Sequence, residues 1–107
     1  GKFPLWMAPE QARIMNITDE QADYCETVYQ TLRAAGIRVE KDLRNEKLNY
    51  KIREAQLMKV PYMLIIGTRE MEEGKITVRM SDGQNLDPMS PAEFAQLVDK
   101  EVRANRG

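Results

Sequence analysis

Two hydrophobic periods alternate along this chain, one of about 2 and one of about 3.6 residues, and their order predicts its elements. Ala12-Arg13-Ile14-Met15-Asn16-Ile17 is short, apolar and bounded by Pro9 and Thr18-Asp19, which predicts a strand. A helix is expected straight after it. Thr18 with Gln21 three residues on forms a capping-box pattern, Ala22, Cys25, Tyr29 and Leu32 follow at helical spacing, and Gly36 supplies a stop. The expected span is Asp19 to Ala35. Ile37 and Val39 alternate with Arg38 and Glu40, a second strand ending at Asp42 or Leu43. Leu48, Ile52 and Ala55 then make an i, i+4, i+7 stripe, the buried side of a charged helix with Asn45 as its N-cap and Pro61 as its stop.

Tyr62-Met63-Leu64-Ile65-Ile66-Gly67 is apolar throughout, the pattern of a central strand covered on both faces. A polar turn follows. Lys75-Ile76-Thr77-Val78-Arg79-Met80 alternates strictly, so Ile76, Val78 and Met80 face the core while Lys75, Thr77 and Arg79 face outward. Ser81-Asp82-Gly83 is a turn, and the segment from Gln84 to Leu86 is expected to pair as a last strand before Pro88. Ser90, Pro91 and Glu93 mark a final helix start, with Phe94, Leu97, Val98 and Val102 as its apolar face. The order β-α-β-α-β-β-β-α predicts a three-layer α/β domain, a mixed five-stranded sheet flanked by three helices. Residues 1–9 are expected to form an interdomain strap and 10–107 the domain.

Composition narrows the chemistry. With 107 residues the chain has room for one core, and 42% hydrophobic and 31% charged residues suit an ordinary globular domain. No apolar run reaches the roughly 20 residues of a bilayer span, and the first residues do not form a signal peptide, so no membrane partner and a cytoplasmic setting are expected. The single Cys25 falls on a helical apolar stripe and is expected to be a buried thiol. There is no histidine, no GxxxxGK[ST] loop and no GxGxxG. Glu72-Glu73 is expected to lie in a solvated turn, where both carboxyls stay ionised. These features point to binding rather than catalysis, and a net charge of -1 restricts any polyanion contact to a local patch.

The segment from Glu40 to Lys59 holds six basic residues (Lys41, Arg44, Lys47, Lys51, Arg53, Lys59) and four acidic ones. On charge alone it is a solvated helix face. Spacing adds that Asn49, Arg53 and Gln56 fall at i, i+4, i+7, a polar row able to meet the exposed edges of unpaired bases.

The run Asp42-Leu43-Arg44-Asn45-Glu46-Lys47-Leu48-Asn49-Tyr50-Lys51-Ile52-Arg53-Glu54, followed by Val60-Pro61-Tyr62-Met63-Leu64-Ile65-Ile66-Gly67, resembles the C-terminal anticodon-binding domain of class II aminoacyl-tRNA synthetases. The threonyl branch is nearest, on Asp42-Leu43-Arg44-Asn45-Glu46-Lys47 and Phe3-Pro4-Leu5-Trp6. Met15-Asn16-Ile17-Thr18-Asp19, Ala35-Gly36-Ile37-Arg38-Val39 and Gly74-Lys75-Ile76-Thr77-Val78-Arg79 extend the likeness over nearly the whole chain. The broader pattern of Asp, Arg, Lys and then Pro-Tyr is shared with histidyl, prolyl and glycyl relatives.

The resemblance implies a five-stranded mixed sheet with three helices, the anticodon loop of threonine tRNA as partner, and a catalytic domain upstream in the same protein. ATP, magnesium and zinc would belong to that upstream part, the whole enzyme would be a homodimer, and this chain would be an excised domain with no cofactor of its own. Carried over residue by residue, the anticodon-contacting positions are Ile17 at the end of the first strand, Asn45 at the helix start, Arg53 on the polar row, the basic position Lys59, Glu70 in the following turn and Arg79 on the alternating strand. Arginine is usual where Lys59 stands, and lysine lacks its planar two-pronged contact. Asn45 serves equally as a helix cap, Ile17 as core and Glu70 as turn polarity. Two other readings remain: a protein-docking module of the same fold, with Phe3, Trp6 and Met7 as an apolar patch, and a small-molecule site at the carboxyl ends of the parallel strands. Trp6 is otherwise expected to pack the strap against the domain.

Overall fold

The computed structural model describes residues 8–106. Its elements are β1 (Ala12–Asn16), a 3-10 turn (Asp19–Gln21), α1 (Ala22–Ala34), β2 (Val39–Asp42), α2 (Leu48–Leu57), β3 (Tyr62–Ile66), α3 (Thr68–Glu73), β4 (Thr77–Met80) and α4 (Pro91–Arg106). The strands form one sheet in the order β2-β1-β3-β4, with β1 parallel to both β2 and β3 and with β4 antiparallel to β3.

Strand alternation sends successive side chains to opposite faces, and each face builds its own core. Ile14, Leu64, Ile66, Ile76 and Val78 pack with Cys25, Val28 and Leu32 of α1 and Phe94 and Val98 of α4. On the other face Met15 and Met63 meet Ile52 and Ala55 of α2 and Val60. The predicted α2 stripe therefore faces the sheet, and the central run Tyr62–Ile66 is covered as expected.

Local signals explain the helix ends. The Thr18 N–H donates to Gln21 Oε1 at 2.7 Å, the Gln21 half of a capping box. At α4 both halves are present: Ser90 N–H donates to Glu93 Oε1 at 3.0 Å and Glu93 N–H to Ser90 Oγ at 3.1 Å. Gly36 closes α1 at φ +85°, a left-handed turn that glycine adopts without a Cβ clash.

Three expectations are corrected. Among the described residues the sheet has four strands, because the segment after Gly83 touches β4 only through isolated bridges, Arg79 with Asn85 and Ile76 with Met89. Four positions separate the bridges on the outer segment against three on β4, so one residue is bulged out around Pro88, which has no N–H to give the ladder. There are four α-helices rather than three, since the stretch after Gly67, expected as a polar turn with Glu70 and Glu72-Glu73, is α3. Glu70 Oε1 accepts the Gly67 N–H at 2.7 Å at its start, and Gly74 at φ +67° ends it. Finally, Asn45 does not cap α2: the helix begins after Lys47, and Asn45 is exposed in the loop before it.

Phe3, Trp6 and Met7, with most of the expected strap, lie outside the described residues. Ala8 is buried, and its carbonyl accepts a hydrogen bond from Arg38 Nε at 2.8 Å. No helix among the described residues is long and apolar enough to cross a membrane.

Candidate nucleic-acid interface

The parallel strands β1 and β3 end side by side, and the chain turns back at Ile17 and Gly67. Ile17 N–H donates to Ile66 O at 3.1 Å, which ties the two ends together, and the Ile17 side chain is 51% exposed. A Cβ on Gly67 would stand 2.8 Å from Ile17 Cδ1 and 3.2 Å from Glu70 Oε1, so the missing side chain is what lets these two residues approach. Gly67→Ala should leave urea-measured stability within about 1 kcal/mol, because the exposed Ile17 tip can move aside. It should still shift the Ile17 δ-methyl resonance, and an unchanged resonance would contradict the packing.

Glu70 is held at both oxygens, Oε1 by the Gly67 N–H at 2.7 Å and Oε2 by the Thr77 hydroxyl at 2.9 Å. Burial, the largest single influence, pushes its carboxyl up, but these two donors together with the Glu70 backbone N–H and the nearby Arg69 charge hold it below the ordinary value. Glu70 is therefore an ionised acceptor at neutral pH, fixed in direction, with lone pairs to spare.

Arg79 follows Thr77 by two on the same face of β4, and across the ladder it lies opposite Met63. It is half-buried, and its Nε is buried with no hydrogen-bond partner among the described residues. Thr77, Glu70's partner, was expected only to face outward. The hydrogen bond spans seven residues and joins a helix to a strand, which no local pattern signals.

The charged segment divides in two. Lys41 pairs with Glu26, and Arg44 grips Asp42 with two hydrogen bonds of 2.8 and 2.9 Å and reaches Glu54 at 2.6 Å. Lys51 is buried. Lys47, Arg53 and Lys59 are exposed and have no ion-pair partner among the described residues. Asn49, Arg53 and Gln56 are all exposed, as their spacing predicts.

Asp42 is itself buried, and the Arg44 hydrogen bonds hold its carboxyl below the ordinary 3.8. Asp42 and Glu70 both titrate lower in the folded chain than in the unfolded one, so their contribution is complete above the unfolded values and lost as pH falls through the folded ones. Urea midpoints followed downward from pH 7 should hold until about pH 5 and then drop. Replacing Glu70 by Gln should make that drop shallower.

Topology separates the six candidate positions. Ile17 and Glu70 meet at Gly67, at the carboxyl end of β3; Arg79 lies on the α2-covered face of the sheet, and Arg53 on the outer side of α2. Asn45 is in the loop that leaves the carboxyl end of β2. Lys59 precedes the amino end of β3, and four strand steps to Ile66 put it roughly 13 Å further from Gly67. Lys59 also carries a positive φ of +59°, at the end of α2, where Val60 N–H returns to Ala55 O at 3.0 Å. Lys59→Gly should relieve that conformation and raise urea-measured stability by up to about 1 kcal/mol. Two surface clefts, one of about 370 Å³ lined by residues including Gly36, Arg38 and Asp99 and one of about 300 Å³ lined by residues including Arg13, Asp42 and Arg44, contain none of the six.

Among the described residues this mixed α/β domain thus carries a fixed carboxylate, a buried guanidinium nitrogen with no hydrogen-bond partner and exposed cations outside ion pairs. The family described as Anticodon binding domain matches residues 11–101, and the chain belongs to that family. Among individual relatives the chain is similar to threonine–tRNA ligases. It is 57% identical over 101 residues to that of Syntrophotalea carbinolica, covering 94% of this chain and 16% of the relative, and 53% identical over 102 residues to that of Psychrobacter cryohalolentis, covering 95% and 16%. The chain thus spans about a sixth of these relatives' length. Among solved structures it matches the RNA-binding domain of threonyl-tRNA synthetase from Cryptosporidium parvum with a TM-score of 0.89 at 30% identity, covering 94% of this chain and 26% of that one. A prolyl-tRNA synthetase from the same organism matches with a TM-score of 0.84 at 25% identity, covering 98% and 23%.

Proposed function

We propose that this chain is the anticodon-reading part of a threonine–tRNA ligase and recognises the anticodon loop of threonine tRNA. The observation that carries the reading is the pairing, on one domain of this family, of a fixed ionised acceptor at Glu70 with an unpartnered donor at Arg79 Nε. Unpaired bases expose both kinds of edge: guanine offers two N–H donors that suit a carboxylate, and uracil offers carbonyls that suit a guanidinium. Threonine codons share their first two bases, so the bases to be read are the G and U at the second and third anticodon positions. Ile17 supplies apolar contact beside Glu70, while Arg53, Asn45 and Lys59 extend the surface along α2. Joining threonine to the tRNA, with its ATP, magnesium and zinc, falls to the part of the protein outside this chain, and the whole enzyme acts as a cytoplasmic homodimer.

Titrating the chain with anticodon stem-loops at physiological salt tests this. The threonine loop should bind more tightly than loops changed at the second or third position, by about 1 to 3 kcal/mol per change. Equal binding of matched and mismatched loops would refute the proposal.

A further inference from the structure

Lys51 is 1% exposed, among the largest fully buried side chains, yet among the described residues its ammonium makes no ion pair with a carboxylate. Its Nζ donates to Asn16 Oδ1 at 2.8 Å and to Asn16 O at 3.2 Å. Burial pulls its pKa down, with Asp42 partly opposing. Asp42 itself is occupied by Arg44. An apolar side chain would fill the same space without desolvating a charge, so stability alone does not explain an ammonium at this point.

What the ammonium holds is the corner that presents Ile17. Asn16 uses both ends of its carboxamide: Oδ1 accepts from Lys51, and Nδ2 donates to Thr18 O at 2.8 Å. Thr18 N–H is held by Gln21 Oε1, and Gln21 Nε2 reaches Thr68 Oγ1 at 3.3 Å, at the start of the helix that carries Glu70. One polar chain thus runs from α2 through β1 and the 3-10 turn to α3. It fixes the residues on both sides of Ile17 without using Ile17's own side chain.

We infer that Lys51 is a positioning residue for RNA recognition: through Asn16 it locks the β1 corner so that Ile17 meets the loop beside Glu70. The inference rests on the anticodon reading proposed above and names how one of its contacts is set.

Lys51→Met, Ile17→Ala and the pair together, each titrated with the threonine anticodon stem-loop, test it as a cycle. Lys51→Met should weaken binding about tenfold, equal to about 1.4 kcal/mol. Ile17→Ala should add little on the Lys51→Met background, whereas full additivity would overturn the inference. Because Lys51→Met leaves Asn16 buried without its donor, Lys51→Met with Asn16→Leu serves as the folded control. Replacing both partners by apolar groups restores stability but not the lock. That variant should unfold near the wild-type urea midpoint and still bind about tenfold more weakly. Wild-type binding by it would show that Lys51 serves folding only. Failure of the wild-type chain to discriminate loops refutes the anticodon reading and this inference with it; wild-type affinity for the threonine loop in a folded Lys51→Met chain refutes this inference alone.

Discussion

Phe94→Ala should cost about 3 to 5 kcal/mol of folding stability. Phe94 is fully buried on α4, and its ring meets Tyr62 of the central strand edge-on, with centroids 5.4 Å apart at 86°. It shares its cluster with Ile14, Leu64, Ile76, Val78 and the α1 residues Cys25, Val28 and Leu32. Truncation removes the aromatic pair and opens a cavity where α4 and the sheet meet, and close-packed neighbours can only partly fill it. Because domains of this size are stable by only about 5 to 15 kcal/mol, the thermal midpoint should fall by more than about 10 °C. Urea and thermal unfolding measure this. A loss below about 1 kcal/mol would mean that α4 does not close the core. The cluster lies on the opposite face of the sheet from α2, so the folded fraction of this variant should keep its stem-loop affinity.

The parts of this fold that were legible in the sequence are those whose information is local. Ser90 and Glu93 announce α4, Thr18 and Gln21 announce the turn into α1, and the unbroken run from Tyr62 marks the strand buried on both faces. α3 was hidden because no residue of it is buried, so it leaves no hydrophobic period; its signals are Gly67, Glu70 and Gly74. The expected fifth strand does not form because Pro88 lets the segment touch β4 but not continue the ladder.

The site shows the same division. The exposed row of Asn49, Arg53 and Gln56 follows from helical spacing. Charge alone places Lys51 on the solvated face, yet it falls three residues after Leu48 and four before Ala55, on the stripe that faces the sheet. A lysine at a stripe position was the available signal. The Glu70–Thr77 and Gln21–Thr68 hydrogen bonds join residues brought together by the sheet and turns, which periodicity does not encode.

Arg79→Met should separate recognition from folding more sharply than any other single change. The side chain keeps an apolar stem opposite Met63 and loses the guanidinium, whose buried Nε has no partner among the described residues. An unsatisfied buried donor is a cost to the folded state, so its removal should leave stability unchanged or raise it by up to about 1 kcal/mol. Binding should move the other way. If the guanidinium finds its missing partner on a loop base, affinity for the threonine stem-loop should fall by about 1 to 3 kcal/mol, and discrimination should relax at a single anticodon position. If the partner is a phosphate, all loops should weaken equally and the salt dependence should lose about one charge. Titrations at two salt concentrations against matched and mismatched loops tell these apart, and the geometry favours the base. Arg79 stands on the same face of β4 as Thr77, whose hydroxyl holds Glu70, and a carboxylate near the reading surface repels a phosphate while accepting from a base edge.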